Sequence, residues 1–227
     1  MDFDWAFTWE ILPLLGRAAL TTVFATMIGY ALALVLGLVL ALLRRSSRRW
    51  ISWPVGWAIE FIRSTPLLVQ LYFLFFVFPE YGIVLSGLVA GVLGLGIHYS
   101  TYTSEVYRAG LEGIHRGQWE AATALNFTPL RVYTNIIIPQ AIPPVVPALG
   151  NYLVAMFKDT PLLSAIAVVE LMQRAKIIGS ETFRYLEPVT MVGLFFIALS
   201  LAAAVLIRRV EWRLSLAYLI TRQSLTK

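Results

Sequence analysis

Gln118-Trp119-Glu120-Ala121-Ala122-Thr123-Ala124-Leu125-Asn126, followed by Thr128-Pro129 and then Ile136-Ile137-Ile138-Pro139, is a polar, capped helix-turn-helix set between long apolar runs. A loop that only joined two membrane spans would need neither that length nor those caps. Gly117 suits an N-cap, which places Glu120 at the third helical position, where a carboxylate favours the positive end of the helix dipole. Glu120 then either caps its own helix or faces a partner. Asn126 is the commonest substitute for Gly in a left-handed helix stop. Thr128-Pro129 restarts a second helix with Pro in its first turn, and Pro139 is expected to end it. The first helix spans about two turns, below the ~12–15 residues that stand alone in water. Something must hold it. Ala121 and Ala122 would let a partner's surface approach the backbone, while Trp119 and Leu125 supply area to bury, as for a short helix in a groove.

Working outward, the rest of the chain is a membrane protein. It has 227 residues, 59% hydrophobic and only 14% charged, where soluble domains carry ~25% charged residues. With no Cys, disulfide and thiol-metal chemistry are excluded. The net charge of +5 sits in clusters beside apolar spans, where it sets orientation and does not suggest nucleic acid. Asp2, Asp4 and Glu10 replace the basic lead of a cleavable signal, so none is expected.

The spacing predicts an all-α chain of five transmembrane helices. Residues 1–16, with Trp5 and Trp9, suit a membrane surface, and residues 18–43 carry no charge, exceeding the ~20 residues needed to span a bilayer. Arg44, Arg45, Arg48 and Arg49 follow, which places that end inside and the N-terminus outside. Trp50, Trp53 and Trp57 recur at helical spacing, so residues 50–62 read as an amphipathic elbow in the inner interface or as the start of span two. Span two is placed at 64–78, short or kinked, before the turn at Pro79-Glu80-Tyr81-Gly82. Span three covers 83–107, where Gly87 and Gly91 are expected to serve helix packing. After the cytoplasmic loop 117–139, span four runs over 140–157 through Pro143, Pro144 and Pro147, tolerable where protein or water satisfies the freed backbone groups. Lys158-Asp159-Thr160-Pro161 breaks it, with a continuation at 162–172. Span five covers 188–207, and Arg208, Arg209, Arg213, Arg222 and Lys227 hold the tail inside. Twelve Lys and Arg residues then fall inside and four outside. No internal repeat is evident.

Catalytic apparatus is not visible. There is no phosphate-binding loop, and Gly91-Val92-Leu93-Gly94-Leu95-Gly96 lies within an apolar span without the Lys. His98 and His115 are the only histidines, in no metal-binding pattern, and His98 reads as a hydrogen-bonded polar residue of the bundle or a transport residue. No cofactor is expected. Charges in or beside spans are the better lead, because each costs several kcal/mol in lipid and is normally kept for a pathway or partner. Lys158, Asp159 and Glu170 would offer both signs to a zwitterion, with Gln70, Glu105 and Thr160 on the same route. Alternatively Lys158 and Asp159 neutralise each other and Glu170 is solvated. Arg63 reads as an interface anchor or a pathway residue.

Three stretches carry a resemblance. Residues 117–139 resemble the cytoplasmic coupling loop, or EAA loop, of permease subunits of binding-protein-dependent ABC importers. Arg63-Ser64-Thr65-Pro66-Leu67-Leu68-Val69-Gln70 and Lys158-Asp159-Thr160-Pro161-Leu162-Leu163 resemble signatures of its polar amino acid branch. The likeness covers roughly residues 15–212. Asn126 stands where the family usually has Gly, and Thr160-Pro161-Leu162 stands for its usual Thr-Ser-Leu, in a region expected to contact substrate. The resemblance implies a type I ABC importer transmembrane domain in the cytoplasmic (inner) membrane of a prokaryote. It further implies two ATPase subunits that dock on Gly117, Gln118, Trp119, Glu120, Ala121, Ala122, Leu125, Asn126 and Pro129. A second permease subunit, copy or sister, and an external solute-binding protein would complete the assembly. The solute would be a polar amino acid or similar zwitterion such as ectoine, with ATP hydrolysis on the partner and no enzyme activity here. The competing expectation is an ion-coupled secondary carrier or channel working without an ATPase, although such carriers commonly show paired repeats.

Overall fold

The computed structural model describes residues 3–224 in backbone and 3–214 in side chains; Asp2, Arg222 and Lys227 lie outside the described side chains. The described residues form nine α-helices and no strand. Helix α1 is Trp5–Arg44, α2 Arg49–Ser64, α3 Leu67–Tyr72, α4 Gly87–Glu112, α5 Arg116–Ala124, α6 Pro129–Val132, α7 Ile138–Asp159, α8 Leu171–Thr182 and α9 Leu186–Ser224.

The lead and the first expected span are one helix. Asp4 caps α1 by accepting from Phe7 N at 3.1 Å, and the helix runs 40 residues through Pro13, about 60 Å at the usual rise. Trp5 and Trp9 stand exposed on its first turns, while Ile11, Leu15 and Ala19 are buried against Leu171, Ala175 and Ile178 of α8 and Val192 of α9.

Residues 49–64 form a helix of their own. The axis turns by 102° between Arg49–Ser64 and the segment Leu67–Tyr81, because Pro66 holds Thr65 extended (φ −104°, ψ 139°) and supplies no N–H. Trp50, Trp53, Trp57 and Phe61 all stand exposed on α2, one stripe at helical spacing. Beyond the bend, α3 widens into a π turn at Phe73–Val77 and tightens to 3₁₀ at Phe78–Tyr81.

Helix α4 is the central post. Its Thr103 hydroxyl donates to the Ala33 carbonyl of α1 at 2.8 Å, and a Cβ added at Gly37 would fall 2.0 Å from that hydroxyl oxygen, so the two backbones touch. Gly87 and Gly91 do serve packing: the 3₁₀ segment Thr160–Ile166 lies against them, with Leu163 on Gly91 and the Ile166 carbonyl on Gly87. The main core gathers Ala25 and Ala33 of α1, Leu67 and Leu71 of α3, Leu95 and Tyr99 of α4, Met156 of α7, and Leu163 and Ile166.

Two expectations about the fourth span are corrected. Pro139 does not end the second loop helix: α6, a π turn at Tyr133–Ile137 and α7 form one helical run, Pro129–Ile166, of 38 residues. The π turn is the physical reason. Ile138 N donates to Tyr133 O, one residue further back than in an α-helix, and the extra residue makes room for the proline ring and its missing N–H. The expected continuation at 162–172 is also divided. The 3₁₀ turns stop at left-handed Ala167 (φ 61°), the chain is non-helical to Glu170, and α8 begins afresh.

By length and composition three helices can cross a membrane alone, Trp5–Arg44, Pro129–Ile166 and Leu186–Leu214, with the bent pair Arg49–Ser64 and Leu67–Tyr81 as a fourth. Helix α4 falls short on hydropathy because Ser100, Thr101, Thr103 and Ser104 line it, all buried. Each of these hydroxyls donates to a carbonyl three residues back, so a polar sequence is satisfied inside the helix.

Candidate coupling site and polar interior

The finger between α4 and α7 is built to hold itself together. His115, not Gly117, caps α5: its Nδ1 accepts from Gly117 N at 3.1 Å. Glu120 therefore sits two residues further in than expected and pairs with Arg116 at 3.1 Å, both well exposed, a contact worth about 0–1 kcal/mol. Asn126 does adopt the left-handed stop, at φ 56°. Asn126 N donates to Thr123 O at 2.9 Å and Phe127 N to Ala122 O at 3.1 Å, the two-bond closure that satisfies the last carbonyls of a helix.

The braced and open faces of the finger differ from the expected ones. Ala122 is 1% exposed and forms a small core with Val132 and Ile137, walled by Leu111, Ile114, Trp119 and Ile136. It is turned toward its own chain, so a partner cannot reach it. Trp119 also turns inward, edge-on to Tyr133 with 5.4 Å between ring centroids. Gln140 Nε2 donates to Gln118 Oε1 at 3.2 Å, tying α7 to α5. What faces out is Ala121, Leu125 (67% exposed), Asn126, Phe127, Pro129 and Leu130 (73% exposed). Phe127 and Leu130 are missed by sequence reasoning, although two large apolar residues flanking a Thr-Pro restart are a readable sign of a surface awaiting a cover.

Three of the six polar candidates for a route, Gln70, Glu105 and Asp159, border one aromatic cluster and its cleft, whereas Thr160 and Glu170 are tied up in helix contacts and Lys158 is exposed. Gln70 clamps the 102° bend: its Nε2 donates to Ile62 O (2.7 Å), Thr65 O (3.1 Å) and Thr65 Oγ1 (2.7 Å), and its Oε1 meets His98 Nδ1 at 3.2 Å. Thr160 is buried and donates to Phe157 O at 2.7 Å. Glu170 is neither solvated nor free. It is fully buried and caps α8, accepting from Met172 N (2.9 Å) and Gln173 N (2.7 Å), beside Thr22, whose hydroxyl accepts from Leu171 N. Glu105 holds Arg108 at 2.6 Å and lies 3.8 Å from Arg44. Lys158 is exposed and forms no ion pair with Asp159 among the described residues.

Asp159 belongs to a cluster that sequence reasoning missed. It accepts from Tyr99 Oη at 2.7 Å, and Tyr99, Tyr102 and Tyr152 stack at 5.6 to 6.2 Å, with His98 beside them and the Arg63 guanidinium 5.2 Å from the Tyr102 ring. Tyr102 and Tyr152 open onto a cleft of about 570 Å³ between α4 and α7, lined further by Glu105, Gly110, Gln140 and Pro144, which runs toward the finger. The available signal was three tyrosine hydroxyls inside apolar spans, each needing a partner. Among the described residues no group of three His, Cys, Asp or Glu side chains comes together to hold a metal.

This arrangement has known counterparts. Residues 33–216 match the family model described as binding-protein-dependent transport system inner membrane component. A probable amino-acid ABC transporter permease protein of Sinorhizobium fredii is 50% identical over 206 residues, covering 91% of this chain and 89% of that one. The glutamine transport system permease protein of Escherichia coli K12 is 33% identical over 219 residues, covering 95% and 100%. Among solved structures, an amino acid ABC transporter crystallised with histidines matches with a TM-score of 0.88 at 34% identity, over 94% of this chain and 100% of that one. The inward-facing methionine ABC transporter MetNI matches in fold, with a TM-score of 0.77 at 20% identity, over 90% and 98%. A multi-pass, all-helical chain with this finger between its third and fourth long segments belongs to the binding-protein-dependent ABC transport system inner membrane components.

Proposed function

We propose that this chain is the permease half of an amino-acid importer and carries no ATPase of its own. It would lie in the cytoplasmic membrane of a prokaryote, paired with a copy or sister chain. Two ATPase subunits would grip the finger and an external binding protein would deliver solute. The observation that carries this is the finger: self-braced through Ala122, Val132 and Ile137, yet presenting Leu125, Phe127 and Leu130 to solvent. In this reading α4 counts as a fifth span despite its hydroxyls, the N-terminus lies outside and α9 ends inside. The Arg44, Arg45, Arg48 and Arg49 cluster and the finger then share the cytoplasmic side, as the positive-inside tendency requires.

Solute class is argued from the tyrosine cluster. A carboxylate (Asp159) and a guanidinium (Arg63) flanking Tyr99, Tyr102 and Tyr152 offer both signs and an aromatic wall, which suits a zwitterionic amino acid or a compatible solute such as ectoine. ATP-driven closure of the partners would move the finger, and the solute would bias the resulting inward and outward states only by its differential affinity for them. The test is purification with the candidate ATPase and binding protein, followed by solute-stimulated ATP hydrolysis and vesicle uptake across a panel of amino acids and osmolytes. Uptake by the chain alone, driven by an ion gradient, would overturn the proposal.

A further inference from the structure

Four arginines within six residues, Arg44, Arg45, Arg48 and Arg49, stand at the junction of α1 and α2. A cleft of about 620 Å³ opens beside them between α1, α2 and α4. Arg44, Arg45 and Ser52 line one side, Trp53 and Trp57 the rim, and Arg108 the α4 wall. Two carboxylates also line it, Glu112 and Glu60; Glu112 is held by Arg108 at 2.6 Å. Arg44 contributes only a long 3.8 Å contact to Glu105, and Arg45 has no ion pair among the described residues. The cavity is therefore cationic at the end where α1 meets α2. A Cβ at position 56 would fall 1.9 Å from Arg44 Nη1, the movable end of a long side chain, so Gly56 lets that guanidinium rest against α2.

We infer that this cleft holds the headgroup phosphate of an anionic phospholipid, gripped by Arg44, Arg45 and Ser52, with its acyl chains over the exposed Trp53, Trp57 and Phe61 stripe. Charge and amphipathicity select that occupant. The cationic mouth adjoins an apolar aromatic face left exposed among the described residues, and a basic cluster beside an amphipathic interfacial helix attracts anionic lipid by about a fivefold affinity gain per arginine. A soluble anion would leave the aromatic stripe uncovered. The α4 wall carries Arg108 and Glu112, and α5 follows Glu112 within four residues, so the lipid would sit against the base of the finger. The inference rests on the inside placement of the finger but not on coupling to ATP.

The test is native mass spectrometry of the intact transporter, permease with its ATPase, released from nanodiscs of equal phosphatidylglycerol and phosphatidylcholine. Wild type should retain phosphatidylglycerol in excess. Arg45→Gln should cut that excess about fivefold. Gly56→Ala, which keeps every charge and displaces only the Arg44 guanidinium, should also lower it, whereas Arg213→Gln should not. An equal loss in Arg213→Gln, or none in Gly56→Ala, would mean diffuse surface charge and overturn a built site. Binding of glycerol 3-phosphate at the same strength without lipid would assign the cleft to a soluble phosphate and also overturn it. Because none of these readouts uses ATP or solute, their failure is separable from failure of the importer proposal.

Discussion

Two neighbouring alanines on α5 should behave in opposite ways. Ala122 is 1% exposed within a core whose other buried members are Val132 and Ile137, whereas Ala121 faces solvent. Ala122→Arg would force a guanidinium into a space closed by Leu111, Ile114, Trp119 and Ile136. Overpacking alone costs about 1–3 kcal/mol, and an unpaired buried charge costs several more. Helix α5 has nine residues and cannot stand alone, so a penalty above about 3 kcal/mol should unfold it locally. Ala121→Arg, on the open face, should change the finger's stability by less than ~0.5 kcal/mol, yet place a bulky cation where a partner's groove must close. Amide exchange separates the two, because Phe127 N donates to Ala122 O in the helix stop. In Ala122→Arg the Phe127 amide should exchange more than 100-fold faster, the ratio set by about 3 kcal/mol. In Ala121→Arg it should stay as slow as in wild type while co-purification with the ATPase is lost. Unchanged protection in Ala122→Arg would refute the bracing argument, and full ATPase retention in Ala121→Arg would refute the assignment of the docking face.

The helix stop itself is testable: Asn126→Val should destabilise the finger by about 1–2 kcal/mol, since a β-branched residue resists φ 56°, and Asn126→Gly should stabilise it slightly; Phe127 amide exchange reads both. Gln70→Leu removes the amide that spans the bend, at a cost of about 1–3 kcal/mol for the groups left unpaired, and spin labels at Val55 and Phe76 should report a broadened distance distribution in place of a single geometry. Acid should loosen the end opposite the finger. There Arg184 pairs with Asp4 at 3.1 Å and with buried Glu187. The bond from Phe7 N, followed by Arg184, lowers the Asp4 carboxyl below its ordinary 3.8. The folded value lies under the unfolded one, so the contribution is complete above the ordinary value and disappears as pH falls through the lowered one. The thermal midpoint should therefore drop as pH falls below the ordinary Asp value, and Arg184→Gln should reduce that drop; an equal acid sensitivity in the variant would contradict the account.

Local signals were legible in the sequence and relational ones were not. Asn126 declares its stop because left-handed backbone is a property of one residue. Gly87 and Gly91 declare packing because close approach in lipid requires small residues. The continuity through Pro139 is hidden, since proline normally ends a helix and the π turn that absorbs it leaves no mark in the residue pattern. Helical period identifies two faces of α5, but which one meets the chain's own core depends on where Val132 and Ile137 return, and that is tertiary. Gln70 and Glu170 read as route residues because a polar group in an apolar run signals a pathway as strongly as it signals a cap. Their actual partners, the carbonyls at a bend and the amides at a fresh helix start, exist only once the chain has broken there.

The correction at Pro139 changes how force would travel in the proposed importer. If the second loop helix ended there, the finger would hang from a flexible joint and motion of the partners would be lost in it. Instead Pro129 to Ile166 is one helical run of 38 residues, about 55 Å long, from the docking face to the break at Ala167. Its other arm, α4, is locked alongside: a Cβ on Gly110 would fall 2.2 Å from Val145 Cγ2, so the two arms touch one turn before the finger begins. In the proposed importer, displacement of Leu130 would be passed along this run, whose next interruption is the non-helical stretch from Ala167 to Glu170. That stretch is pinned to α1 by Thr22 and capped by buried Glu170. A Gly pair at Ile142 and Val146 that softened α7 should uncouple ATP hydrolysis from uptake while leaving ATPase binding intact.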